Sequence, residues 1–419
     1  MPEPRRRPKD RKAQIASVAA EAFSEQGYHA VSMDDIAHRV GVSAAALYRH
    51  SPSKYDLFRT AVLALSEQLV EATAFADELP VAEHDALEVY DRLTSALIDV
   101  ALANRSRGGV YRWGGRYLVD DDSAALMSQV RLVNLRLQKP IRVLRPELGS
   151  RQRWTLSASV LGMIGSLVDH RAALSSGRVH RLFGDMARAL LWARLPTMPG
   201  DPPVLPAPEQ SATAGRFEAI LREGMRLFRQ NGYRNTTLDE IARAVGMPTS
   251  GIYRYFPGKA DILTALFRRA ADRLSADTAV ILASHADPAT VLKMLVHSYV
   301  VRSLDLPGID SLYFTERPNL PPADGALLRN MQRATVDTWV EALTAAYPDL
   351  SPRDARFVVQ AAFALVVDVG TLADRRDRGA VGAAMETLMA AVLSVPAGPR
   401  AADSRAVPTG AESALPIRQ

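Results

Sequence analysis

Residues 32–58 read SMDDIAHRVGVSAAALYRHSPSKYDLF, and residues 237–263 read TLDEIARAVGMPTSGIYRYFPGKADIL. Both belong to a longer ungapped repeat, in which residues 15–58 align with residues 220–263 at a constant shift of 205. The shift brings Phe23 onto Phe228, Tyr28 onto Tyr233, Asp34 onto Asp239, Val40 and Gly41 onto Val245 and Gly246, and Tyr48 and Arg49 onto Tyr253 and Arg254. Self-similarity of this kind means that one module is present twice.

The local chemistry of each copy is that of short helices separated by tight turns. Residues 15–26 form an amphipathic stretch stopped by Gly27, and Ser32-Met-Asp-Asp35 has the spacing of a capping box for the next helix. Thr237-Leu-Asp-Glu240 repeats it. The helix over 33–40 closes at Gly41, free to adopt positive φ, and a new one starts near Ser43; the second copy closes at Gly246 and restarts at Pro248, a residue suited to a first helical turn. Ile36, Ala37, Val40, Ile241, Ala242 and Val245 are the expected core. Two helices across a glycine turn make a helix-turn-helix, whose second helix enters the DNA major groove with its N-terminal residues at the base edges. That places Ser43 to Tyr48 and Pro248 to Tyr253 as the candidate readers.

Over these two spans, about a fifth of the chain, the sequence resembles the DNA-binding domain of TetR regulators. The resemblance implies that Tyr48, His50 and Lys54, with Tyr253, Tyr255 and Lys259, contact the DNA backbone, as do Ser32 and Thr237 at their helix starts. It implies that Ala44, Ala45 and Ala46, and Thr249, Ser250 and Gly251, face bases. The copies depart from the pattern differently: Ser51 stands where the family usually has the aromatic that Phe256 keeps, so the first reading helix is expected to be less firmly seated. Three alanines offer only methyl groups, which touch a thymine methyl but make no bidentate hydrogen bond. The second module is therefore expected to discriminate sequence. The first is expected to supply backbone affinity through Arg49, Lys54 and the arm Arg5, Arg6, Arg7, while Arg254 adds to the second.

Beyond each module, apolar residues recur at three and four, as in Leu93, Leu97, Val100 and Leu292, Leu295, Val296, Tyr299, while strand-like alternation is nearly absent. The expected fold is all-α: two tandem TetR-like units, each a three-helix helix-turn-helix domain plus a helical effector and dimerisation bundle. The expected division is 1–60 and 61–195 for the first unit, a proline-rich linker over 196–215, 216–268 and 269–394 for the second unit, and a disordered tail over 395–419. Extended at about 3.1 Å per residue, the linker reaches roughly 60 Å. A faint likeness at a shift of 202 joins Tyr111–Leu118 to Tyr313–Leu320, so the duplication covers whole units.

The resemblance implies that residues 61–195 and 269–394 dimerise and bind a small-molecule effector. Candidates for the effector site are Arg112, Trp113 and Tyr117 in the first unit and Tyr313, Glu316 and Trp339 in the second. If the two effector parts pack through a four-helix interface, one chain imitates a dimer and favours an asymmetric operator; a homodimer would read a palindrome. The partners expected are thus double-stranded DNA and a small-molecule effector, with no membrane and no cofactor.

The absence of cysteine excludes disulfides, thiolate catalysis and the usual zinc sites, and suits a cytoplasmic protein. Asp169 with His170, and His297, lack metal-ligand spacing, and no phosphate-cradling loop or nucleophile elbow points to an enzyme. The alternative in another class is an interaction module with degenerate helix-turn-helix units that titrates or tethers another regulator. The alanine-rich first reading helix permits it; Thr237, Tyr253, Arg254 and Lys259 argue against it for the second.

Overall fold

The computed structural model describes residues 8–78, 85–197, 215–372 and 378–395. The expected arm Arg5–Arg7, most of the expected linker and almost all of the expected tail lie outside the described residues. Among the described residues the regular elements are all helical.

In the first unit these are α1 (Pro8–Gln26), α2 (Met33–Val40), α3 (Ala44–His50), α4 (Lys54–Ala72), α5 (Phe75–Glu78), α6 (Ala86–Ala103), α7 (Gly108–Gly114), α8 (Asp120–Leu144), α9 (Ser150–Gly165) and α10 (Ser176–Leu191). In the second they are α11 (Arg216–Asn231), α12 (Leu238–Ala244), α13 (Thr249–Ile252), α14 (Lys259–Leu282), α15 (Pro288–Asp305), α16 (Ile309–Glu316), α17 (Pro322–Ala346), α18 (Pro352–Leu372) and α19 (Arg378–Ser394). Apart from the short α5, each helix of the first unit has its counterpart, in order, in the second. The expected divisions at 60/61 and 268/269 fall inside α4 and α14, which run without a break from the helix-turn-helix into the effector part.

Each helix-turn-helix has its own small core. In the first, Ile15, Phe23, Ile36, Leu47 and Phe58 close around one another; in the second, Ile220, Phe228, Ile241, Ile252 and Phe267 do so. The effector parts differ, because their buried residues form one continuous core across both units.

The reason lies in α9 and α18, the most extensively packed helix pair of the molecule. Gly162 of α9 lies against Asp368 of α18, and buried residues such as Val160 and Met163 of α9 and Val358 and Leu365 of α18 belong to the shared core. The buried α9 hydroxyls are satisfied: Ser159 donates to the Thr155 carbonyl at 2.8 Å and Ser157 to the Asn134 side chain at 3.0 Å. Alongside, α10 packs on α19. Phe357 of α18 is fully buried against His170 and Phe183 of the first unit, and Arg178 of α10 donates twice to Asp354, at 3.1 and 2.8 Å.

Candidate DNA interface and effector cavities

The two helix-turn-helix turns have nearly the same geometry. Gly41 closes α2 at φ 75° and Gly246 follows α12 at φ 65°. The next backbone N–H then reaches back to the same place in each copy, Val42 to the Ala37 carbonyl and Met247 to the Ala242 carbonyl, both at 3.0 Å. Both capping boxes form: Asp35 N–H donates to Ser32 Oγ at 3.1 Å and Glu240 N–H to Thr237 Oγ1 at 3.2 Å, while each carboxylate accepts in return. Ser32 and Thr237 thus stand exposed at helix N-termini, their hydroxyls engaged in the cap.

The reading helices differ. Ser43 caps α3 by accepting from Ala46 N–H at 3.2 Å, Leu47 is buried beneath, and Ala45, Tyr48, Arg49 and His50 are exposed, with Ala44 and Ala46 half-buried. In the second copy α13 is a single turn. Ile252 and Phe256 anchor it, Phe256 stacking on Phe217 at 5.0 Å, and Ser250, Tyr253, Arg254 and Tyr255 project outward. Gly251 is half-buried, and the Thr249 hydroxyl donates to Asp239 of α12. The first reading helix, without an aromatic at Ser51, is nevertheless the longer of the two and ends with Ser51 N–H on the Leu47 carbonyl.

Lys54 and Lys259 have a role that their charge alone did not reveal. Lys259 donates to the carbonyls of Tyr233, Arg234 and Thr236 at 2.8, 2.9 and 3.0 Å, which uses all three of its hydrogens, and lies over the Tyr233 ring. Lys54 clamps the equivalent loop through the carbonyls of Val31 and His29, over Tyr28. Each ties the start of α4 or α14 to the loop before α2 or α12. A phosphate contact by Lys259 would require it to give up one of these bonds.

The description "Bacterial regulatory proteins, tetR family" matches residues 15–61 and, again, residues 220–266. One stretch in each unit thus matches that family. The chain is similar to several transcriptional regulators. FasR, an HTH-type transcriptional activator of Mycolicibacterium smegmatis, is 48% identical over 54 residues, 13% of this chain and 25% of FasR. KstR2, an HTH-type transcriptional repressor of Rhodococcus jostii, is 32% identical over 91 residues, 22% of this chain and 45% of KstR2. The match therefore spans a quarter of FasR and less than half of KstR2. Among solved structures, a TetR-family regulator from Bordetella parapertussis aligns with 44% of this chain and 95% of its own at 19% identity and a TM-score of 0.39.

Behind the two helix-turn-helix domains lie two cavities, one per unit. That of the first unit, about 620 Å³, is walled by Leu65, Leu97, Tyr111, Leu126 and Ile164 and completed by Leu312, Thr315 and Asp368 of the second. That of the second, about 160 Å³, is walled by Phe267, Tyr299, Tyr313, Phe314 and Phe363 and completed by Arg112, Trp113 and Asp169 of the first. Arg112 borders both. Its guanidinium sits between Asp169 at 3.0 Å and Asp368 at 3.2 Å, one carboxylate from each unit. Burial pushes the Asp169 carboxyl up to about 6 against the opposing pull of Arg112 and of Trp113 Nε1, which donates to it at 2.7 Å.

Of the six expected effector residues, Arg112, Trp113 and Tyr313 line these cavities. Tyr117 and Glu316 line neither. They meet across the units, the Tyr117 hydroxyl donating to the buried Glu316 carboxylate at 3.2 Å with Arg116 alongside at 3.7 Å. Trp339 lines neither as well, because it is fully buried among Tyr299 and Phe363 as a core residue. The sequence reading missed Asp310, which borders the second cavity, and Tyr111, Tyr299 and Phe363, whose aromatic character alone did not separate wall from core. His297 bonds to Glu386 at 2.8 Å, and no metal-holding cluster occurs among the described residues.

The cavities connect to the helix-turn-helix domains through α4 and α14, which supply Leu65 and Phe267 to their walls, and through α7 and α16. In the first unit, α7 carries Arg112 and Trp113 on the cavity side and packs against α1 and α4 on the other. Gly114 of α7 lies against the Phe58 ring of the helix-turn-helix core. In the second unit, α16 carries Tyr313 and touches α11 and α14.

Proposed function

We propose that this protein is a repressor that binds its operator as a single-chain pseudodimer, with two unlike reading heads, and that a small molecule filling one of the two cavities releases it. The observation that carries the reading is the continuous core across α9, α10, α18 and α19, which joins two effector parts that separate chains would otherwise bring together. In this reading Ser250, Tyr253, Arg254 and Tyr255 discriminate one half-site, with Thr249 and Gly251 at the base edges. Ala44, Ala45 and Ala46, with Ser43, Tyr48, Arg49 and His50, hold the other mainly through phosphates and thymine methyls. A ligand that shifts α7 or α16 moves the attached helix-turn-helix, because α4 and α14 are continuous levers.

The test is selection of bound sequences from random duplex DNA, repeated with Tyr48→Ala and Tyr253→Ala, together with the salt dependence of affinity for the best site. The expected result is an asymmetric motif in which each variant weakens one half, bound by one chain, with log affinity falling by about 0.9 per phosphate contact against log salt. A palindromic motif bound by two chains would overturn the pseudodimer. The absence of any enriched motif would overturn the operator reading itself.

A further inference from the structure

The second cavity is bordered by a carboxylate that makes no ion pair. Asp310 lies in the first turn of α16 and borders the cavity, and among the described residues no side chain bonds to it. Three arginines border the cavity as well. Arg302 binds Asp277 at 2.6 Å with Asp305 at 3.6 Å, Arg112 is held between Asp169 and Asp368, and Arg273 extends its field to Asp277. An isolated buried carboxylate is costly, and proteins ordinarily pair or avoid it. Asp310 instead faces an aromatic wall: Tyr299 stacks on Phe363 at 4.4 Å, and Phe267 meets Tyr313 edge-on at 5.3 Å, with the Tyr313 hydroxyl itself unpartnered.

We infer that the second cavity takes an organic cation, an ammonium group on a small hydrophobic or aromatic body, with Asp310 as its counter-charge and the surrounding rings as its cage. Ring faces attract a desolvated cation, and a carboxylate beside them adds the full counter-charge in a site of low dielectric. The site belongs to the second unit alone. At the shift of 202 that aligns the effector parts, the partner of Asp310 is Gly108, which lies tight against Val168, and the partner of Phe314 is Arg112. Duplicated cavities have thus acquired different chemistry, the second aromatic with an unpaired carboxylate at its border. The inference rests on the reading of the cavities as effector sites.

The test uses the full chain and two probes of nearly equal shape, benzyltrimethylammonium and its uncharged isostere 2,2-dimethylpropylbenzene, with binding measured by calorimetry. The expected result is that the wild type prefers the cation by at least about tenfold, that Asp310→Asn abolishes the preference, and that Asp310→Glu retains most of it. Equal binding of the two probes, binding of neither, or a preference that survives Asp310→Asn would overturn the inference. Operator affinity measured with the cation bound separates the two readings. If the cation binds through Asp310 and the operator stays bound, effector release fails and the cation site stands. If neither probe is preferred and a neutral molecule in the first cavity releases DNA, the cation inference fails alone.

Discussion

The two units share a backbone plan and differ in what each copy of a position touches. At the reading helix, Phe256 is buried and stacked on Phe217, whereas Ser51 has no ring to offer and α3 relies on Leu47 and its Ser43 cap. At the cavity, Asp310 stands among aromatic rings without an ion pair, whereas Gly108 in the same place only admits Val168. The glycine turn and the capping box before it are alike in the two copies; the reading helix and the cavity lining have diverged. Duplication within one chain frees each copy from the symmetry that a homodimer imposes on both of its halves.

The largest expected effect comes from treating the units as separable. Phe357→Ala removes a fully buried ring that belongs to the second unit but packs on His170 and Phe183 of the first. It should cost about 3–5 kcal/mol, as for other buried phenylalanines. Because the core is shared, hydrogen exchange should accelerate on α9 as well as on α18. Faster exchange confined to the second unit would show two independent bodies and break the comparison at its base.

Next in size is the reading helix. Phe256→Ala should cost about 3 kcal/mol, felt as fraying of α13 and weaker binding at one half-site, whereas Ser51→Ala should change either quantity by less than about 0.5 kcal/mol. Footprinting of each half-site with both variants checks this. Equal effects would mean that the aromatic anchor distinguishes nothing.

A third effect of about 2 kcal/mol has the opposite sign. Burial pushes Asp310 up to about 6 from the ordinary 3.8, so the folded protein bears a penalty for its charge. The penalty is fully present above pH 6, shrinks between pH 6 and 4, and is gone below, once the carboxyl is protonated in both states. Two pH units correspond to about 3 kcal/mol, and the partial exposure of Asp310 to solvent lowers this to about 2. Asp310→Asn should therefore stabilise the protein at pH 8, with the gain vanishing near pH 4. Denaturant titrations at the two values measure it, and a variant destabilised at pH 8 would mean that Asp310 has a partner.

The features legible in the sequence were those set within a few residues. Ser32 and Thr237 announce their capping boxes through carboxylates three positions on, and both boxes form. The all-helical tandem arrangement followed from apolar spacing and the repeat. What stayed hidden depended on contacts distant in sequence. The resemblance gave Lys259 a phosphate contact, but the carbonyls that hold its ammonium lie 23 to 26 residues upstream and no local pattern announces them. Trp339 and Tyr313 look alike as aromatics in helices, and only packing decides that one is core and the other wall. Helix α9 carries little amphipathic signal, yet with α18 it makes the most extensively packed pair of the molecule.

The smallest prediction concerns the turn that both copies kept. Gly41 and Gly246 hold φ of 75° and 65°, and a methyl group added at either would meet no atom within 4 Å. Substitution by alanine thus carries no clash, and its cost is the left-handed backbone itself, about 1 kcal/mol. The cost should be the same in both copies, although their outer surfaces have diverged, because Val42 and Met247 close the turn with the same hydrogen bond of 3.0 Å. Chemical denaturation of Gly41→Ala and Gly246→Ala should give losses within about 0.5 kcal/mol of each other, the usual scatter between independent sites. A much larger loss in one copy would show that its turn is held under further strain, and that divergence has reached the backbone which orients the reading helix.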